Sequence, residues 1–225
     1  MSKKIKILAK GPYLVSADIP LKKNSIRPGD DGISESWMED KTYDTAGKAY
    51  SLCRCGRSVK KPFCDGAHTA VKFNASETAD NRPYDETAVI YEGPRGNLMD
   101  REDLCAVARF CDEGLQAWNL IKTNSEKNFK LAVKEACNCP AGRLTVVKYG
   151  KKIEPDLPQE IALIEDPAKK HRGPIWVKGG IEIEGASGVK YEKRNRVTLC
   201  RCGNSSNTPF CDGTHLACPH MKGED

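Results

Sequence analysis

Apolar and polar residues alternate in short runs along much of this chain, which marks half-buried strands rather than long helices. Two of these runs open on Gly-Pro: Gly11-Pro12-Tyr-Leu-Val-Ser-Ala-Asp-Ile-Pro-Leu21 and Gly173-Pro174-Ile-Trp-Val-Lys-Gly-Gly-Ile-Glu-Ile183. Each predicts a strand with a kink or bulge. Shorter strands are expected at Ala49–Leu52 and Arg196–Leu199, both leading straight into cysteine-rich loops. Between the two halves the pattern changes. Thr87–Tyr91 predicts a strand and Gly93–Gly96 a turn, and Asp100 is the expected cap of a helix through Leu104, Val107, Ala108 and Phe110. A second helix is expected over Asn128–Ala136, with Ser125 as N-cap and Phe129, Leu131 and Val133 as apolar positions. Strands follow at Leu144–Tyr149 and, past a Pro-rich stretch at 154–158, at Ile161–Ile164. The expected class is α+β in three parts: 1–85, 86–166 and 167–225.

The cysteine-rich loops are copies of one another. Cys53, Cys55, Cys64 and His68 recur with identical spacing as Cys200, Cys202, Cys211 and His215, and a serine, proline, phenylalanine, aspartate and two glycines recur with them. Agreement in register across sixteen positions is an internal duplication. Sets of three thiolates and one imidazole suit zinc or an iron–sulfur cluster. Structural zinc sites commonly separate paired cysteines by two to four residues, whereas one residue separates them here, which suits one iron of a larger cluster better. With Asp65 and Asp212 as N-caps, each histidine would fall at the third helical position, with backbone N–H groups facing the site.

The pattern Cys-x-Cys-x2-Ser-x3-Pro-x-Cys-Asp-Gly-(Ala/Thr)-His resembles the CDGSH iron–sulfur family, whose members hold one 2Fe–2S cluster per motif. The resemblance implies one cluster on Cys53, Cys55, Cys64 and His68 and a second on Cys200, Cys202, Cys211 and His215. It also implies a β-rich cap, formed in the family by dimerisation and here expected as an internal pseudo-dimer within a monomer. Thr208 departs from the lysine found at this position in the first copy and the family. A pair of structural zinc sites is the alternative.

Four more cysteines lie in the middle segment. Cys105-x5-Cys111 followed by Cys139-Pro140 is similar to divergent single-cluster bacterial ferredoxins, which implies a ferredoxin-like α+β insert and a third cluster, 3Fe–4S or 4Fe–4S. Cys137 is then a fourth ligand or an idle buried thiol. Cys218-Pro-His220 reads as a mobile tail, and His171 as part of a solvated basic run.

Composition narrows the function. The 225 residues are 39% hydrophobic, so metal–ligand bonds are expected to contribute to folding. Eleven cysteines without a secreted disulfide pattern, no signal peptide and no membrane-length apolar run give the expectation of a cytoplasmic, reducing location. A net charge of +5, with both signs interleaved, argues against nucleic-acid binding and slightly favours an acidic partner. No nucleophile elbow, phosphate loop or metalloprotease motif is present, so no enzyme is expected. Two roles follow: electron transfer or redox sensing with a redox partner protein, and cluster donation or storage serving an apo-acceptor. One neutral imidazole should raise the potential above that of an all-cysteine site.

Overall fold

Why the chain forms so many short strands follows from its interruptions. In the first half β1 (Lys4–Ile7), β2 (Tyr13–Val15), β3 (Leu21–Pro28), β4 (Ser34–Tyr43) and β5 (Tyr50–Leu52) are separated by tight turns. The middle carries β6 (Val89–Tyr91), β7 (Asn97–Asp100), β8 (Leu144–Lys148) and β9 (Lys151–Ile153). The last part carries β10 (Ile161–Asp166), β11 (His171–Lys178), β12 (Glu182–Glu184) and β13 (Arg196–Leu199). Each Gly-Pro run is broken into two strands, the first where Asp18 takes a φ of 65° and the second at Gly179 and Gly180. This computed structural model describes residues 3–223, so the outermost residues of the first and last expected domains lie outside it.

Three sheets result, ordered β12-β1-β2-β5, β13-β11-β10-β3-β4 and β6-β7-β8-β9. The first two repeat one plan. β1-β2-β5 and β10-β11-β13 are antiparallel triplets in chain order. A further strand from each half crosses to the other: β12 runs parallel to β1, with Ile183 opposite Ile5, and β3 runs parallel to β10, with Lys23 opposite Leu163. β10 lies in the segment 86–166 of the sequence reading, yet its pairing is with β3 and β11.

Both sheets close on one core. Ile5, Ile7, Tyr13 and Leu21 from the first half pack with Ile161, Leu163, Val177 and Ile183 from the second. Each such aliphatic side chain contributes about 1.5–3 kcal/mol when fully buried, so neither half has a core without the other. β4, which the alternation did not reveal, is a charged outer strand bearing Glu35, Glu39, Asp40 and Lys41, and its charges discourage further strand pairing.

The middle segment packs its sheet against four-residue helix α3 (Ala117–Leu120) and α4 (Glu126–Asn138), following α1 (Ala67–Ala70) and α2 (Tyr84–Thr87) in the chain. α4 forms as its pattern predicts. Ser125 Oγ accepts from the Asn128 N–H at 3.3 Å, and Phe129, Ala132 and Ala136 are buried on one face. The helix expected after Asp100 does not form. Asp100 ends β7, and its carboxylate accepts from Arg143 at 2.6 and 2.9 Å and from Trp118 Nε1 at 2.9 Å. Only a 3-10 turn, Glu102–Leu104, follows, and Val107 and Arg109 adopt left-handed φ of 52° and 61°. Residues 105–111 are therefore a loop. The fold is a strand-rich α+β structure, and no helix of the described residues is long and apolar enough to cross a membrane.

Candidate metal centres

The repeated loops fold through the same hydrogen bonds. β5 and β13 each deliver a Leu-Cys pair, and the Cys53 and Cys200 N–H groups donate to the Pro62 and Pro209 carbonyls at 2.9 and 2.8 Å. The Cys64 and Cys211 N–H groups return to Ser51 and Thr198, both at 2.9 Å. Ser58 and Ser205 donate to the Phe63 and Phe210 carbonyls at 2.6 and 2.7 Å. Both X-Pro bonds at Pro62 and Pro209 are cis.

Asp65 and Asp212 do not act as simple N-caps. One oxygen of each accepts from the Ala67 or Thr214 N–H at 3.0 Å, while the other pins Val59 or Ser206 at 2.8 Å. Gly66 and Gly213, at φ of 90° and 85°, precede the helical turns instead. The histidines therefore stand at the second helical position, because the aspartate spans the loop rather than starting the helix.

The eight predicted ligands arrive as pairs. Cys53 Sγ lies 3.8 Å from Cys55 Sγ, and Cys200 Sγ 3.5 Å from Cys202 Sγ. Cys64 Sγ lies 3.4 Å from His68 Nδ1, and Cys211 Sγ 3.5 Å from His215 Nδ1. Two sulfurs on one tetrahedral metal with ~2.3 Å bonds stand about 3.7 Å apart, so each thiol pair has the span of adjacent ligands on one metal. Among the described residues, no three His, Cys, Asp or Glu side chains converge closely enough to hold one ion between them. Within each thiol pair one proton is shared: the neighbouring thiol's hydrogen bond, supported by backbone N–H groups, lowers Cys53 and Cys200 to about 6, while the same hydrogen bond and burial raise Cys55 and Cys202.

Burial separates the two loops. Cys64 and His68 are partly exposed. Cys211 and His215 are 2% and 4% exposed. Burial, with Arg201 nearby, pushes His215 down to about 4. The cations differ too. Arg201 is clamped by the Ile164 carbonyl at 2.9 Å and Glu165 at 2.7 Å. Arg54 is also buried, donates to the Ala75 carbonyl at 3.0 Å, and leaves Nε and Nη1 without a partner.

Thr208 now has a reason. Its carbonyl accepts from Thr78 and Ala79 at 2.8 and 2.9 Å, its hydroxyl donates to the Ser76 carbonyl, and its side chain is buried. A lysine there would carry its ammonium under the strap at 76–79.

Cys105, Cys111 and Cys139 line one small apolar cavity with Arg143 at its wall. Burial first, then the nearby charges of Asp112, Cys139 and Cys105, raises the Cys111 thiol. Cys137 does not join them. Two positions before Cys139, at the end of α4, it faces the Ile153 carbonyl at 3.8 Å. Nor is Cys218-Pro-His220 a loose tail. Cys218 is buried with Cys200, Cys202 and Met221, its sulfur accepts from Asn204 Nδ2 at 3.2 Å, and His220 Nε2 lies 2.9 Å from the Cys202 carbonyl oxygen. Tyr13 also reaches this site, donating to the Cys200 carbonyl at 2.7 Å. No sequence pattern marks Tyr13 or Cys218, because both act across the fold.

Comparison with known proteins bears on the same two loops. The family described as iron-binding zinc finger, CDGSH type, matches residues 10–69 and 172–216. The human protein named CDGSH iron-sulfur domain-containing protein 3, mitochondrial, is 52% identical over 40 residues, covering 15% of this chain and 32% of the relative. Its mouse counterpart is 50% identical over 40 residues, covering 15% and 29%. The chain thus spans about a third of the length of these curated relatives. No solved structure gives a significant match. With two matched segments, each carrying the full set of three cysteines and a histidine, the chain carries the CDGSH-type iron–sulfur domain twice, in tandem.

Proposed function

We propose that this iron–sulfur protein holds one 2Fe–2S cluster on Cys53, Cys55, Cys64 and His68 and another on Cys200, Cys202, Cys211 and His215, and serves in electron transfer or redox sensing. The observation that carries the reading is the pairing of ligands. Each loop offers a thiol pair and a separate thiol–imidazole pair, which suits two metals with two protein ligands each and disfavours a single zinc ion. When bound, such a cluster takes up and releases single electrons. The chain contributes one lowered thiol in each pair, Cys53 and Cys200, an imidazole, and at the first loop the N–H groups of Arg54 that have no hydrogen-bond partner, which favour a nearby anion.

The exchanged strands β3 and β12 and the shared core support an internal pseudo-dimer that needs no second chain. The middle segment is proposed as a ferredoxin-like insert whose Cys105, Cys111 and Cys139 hold a third cluster. Three thiolates suit a 3Fe–4S form. The partner is a one-electron carrier protein in a reducing, cytoplasmic setting, and no catalytic residue is assigned. Partial exposure of Cys64 and His68 favours a second reading, donation of the first loop's cluster to an apo-acceptor.

Iron and acid-labile sulfide per chain, with the visible spectrum, test this. About four irons are expected for the two loops and about seven with a three-iron insert cluster. Colourless protein with stoichiometric zinc after anaerobic, iron-replete preparation refutes the proposal. Incubation with an apo-ferredoxin separates the roles: colour retained by the protein supports electron transfer, and colour passed to the acceptor supports donation.

A further inference from the structure

We propose that the second loop is an internal relay station, passing single electrons between the insert's three-cysteine pocket and the exposed first loop. The inference rests on the reading above, that all three residue sets hold clusters. Its starting point is access. Cys200, Cys202, Cys211 and His215 are 1%, 2%, 2% and 4% exposed, so a docking protein touches none of them. Cys64 and His68 in the first loop, and Cys105, Cys111 and Cys139 in the insert, all reach the surface in part.

The second loop contacts the other two at glycines that leave no room for a side chain. Gly213 lies between Cys211 and His215. A Cβ on it would sit 2.3 Å from Val107 Cγ2 and 3.3 Å from the Cys105 carbonyl oxygen. Val107 and Cys105 belong to the loop that carries the insert's first two cysteines. Behind this contact, Cys211 shares a buried cluster with Leu104, Ala106 and Ala141, against which Cys139 packs. At the other end Gly203 follows Cys202 and Gly56 follows Cys55. A Cβ on Gly203 would lie 2.7 Å from the Cys55 carbonyl oxygen, and one on Gly56 2.7 Å from the Cys202 carbonyl oxygen. Backbone therefore meets backbone on the first-loop side of the buried site, and on the insert side the Val107 side chain packs directly onto the Gly213 backbone. Cys202 therefore lies beside the first loop, and Cys211 beside the insert.

The buried set thus touches both of the partly exposed ones. The two loops carry equal ligand sets, and the extra cations of the first, Arg57, Lys60 and Lys61, raise its potential, so an electron on the second loop runs downhill to the first. A one-electron carrier protein loads the insert. Each hop then oxidises one site by one electron and reduces the next by one, with no bond made or broken, and a one-electron acceptor protein empties the first loop.

Electron paramagnetic resonance of the reduced wild-type protein is the first test. The second loop's signal should be broadened by its paramagnetic neighbour, and should sharpen in Cys105→Ser/Cys111→Ser while the first loop's signal stays unchanged. The second test follows visible absorption after a pulse of a small radical reductant. Wild type should show a re-equilibration phase independent of protein concentration. Cys200→Ser/Cys202→Ser should slow that phase by more than an order of magnitude. A second-loop signal indifferent to the insert's cysteines, or an undiminished rate without the second cluster, overturns the relay. Iron analysis keeps the two proposals apart: four irons per chain and no insert signal overturn the relay and leave the two-loop reading standing, whereas an iron-free protein overturns both.

Discussion

The first and second ligand loops share their backbone hydrogen bonds almost one for one, yet they sit in different surroundings. Around the first, Arg57 and Lys60 stand in solvent and Cys64 and His68 are partly open. Over the second lie the strap at 76–79, the insert loop at 105–107 and the helical turn Pro219–Met221. Equal ligand sets should therefore give unequal sites. Proton access, electrostatic field and partner access differ, while ligand identity does not.

The largest effect should come from exchanging the imidazoles. His68→Cys and His215→Cys should each keep a cluster and lower its potential by on the order of 100 mV or more, since two histidines separate Rieske from plant-type centres by several hundred. Redox titration of each variant checks this, and an unchanged potential would remove histidine as the tuning ligand. Next in size is Thr208→Lys, which gives the second loop the residue of the first, Lys61. Loss of the Ser76 contact and burial of an ammonium should cost about 2–4 kcal/mol in chemical denaturation. The second site should then bleach in acid as the first does. Denaturation and bleaching indistinguishable from wild type would show that the strap does not protect it.

Acid lability is the third measure. In mildly acidic buffer with a chelator the first site should lose colour about tenfold faster, a difference of about 1.4 kcal/mol in barrier. The sign follows from His215. Its pKa falls from 6.5 to about 4 on folding, so the unfolded chain holds a proton that the folded chain excludes. Stability contributed there is fully present above 6.5 and is lost as pH drops through the window toward 4. Bleaching at equal rates, or first at Cys211/His215, would break the link between burial and lability. The smallest effect is the difference in potential. The first loop carries Arg54, Arg57, Lys60 and Lys61, and the second between its first and third cysteines only Arg201, which is neutralised by Glu165. At ~8 Å each exposed unit charge contributes about 0.5 kcal/mol even in bulk-water dielectric, and salt reduces this. The first site should lie higher by some tens of millivolts, at about 59 mV per 1.4 kcal/mol. Titration of the wild type followed by single-site Cys→Ser variants checks the order, and a lower potential at the first loop would overturn it.

How much of this was legible in advance divides along one line. Spacing within sixteen residues picked out the eight side chains that the structure brings together in pairs, because a hairpin-sized loop closed by its own serine, proline and aspartate assembles them locally. The α4 pattern and its Ser125 cap were equally local. The helix expected after Asp100 failed because Arg143, forty-three residues away, takes the capping carboxylate. Cys137 and Cys139 look alike in sequence, and only the end of α4 turns one toward the cavity and the other toward Ile153.

The chain by itself determined which donor atoms each loop presents, since donor type and short-range spacing are written into contiguous residues. Tertiary structure alone decided which loop is open. The exchange of β3 and β12, the packing of Val107 against Gly213 and the return of Cys218 to Cys200 and Cys202 bring together residues far apart in the chain. Burial, field and contact between sites are sums over such neighbours, and no local pattern encodes them.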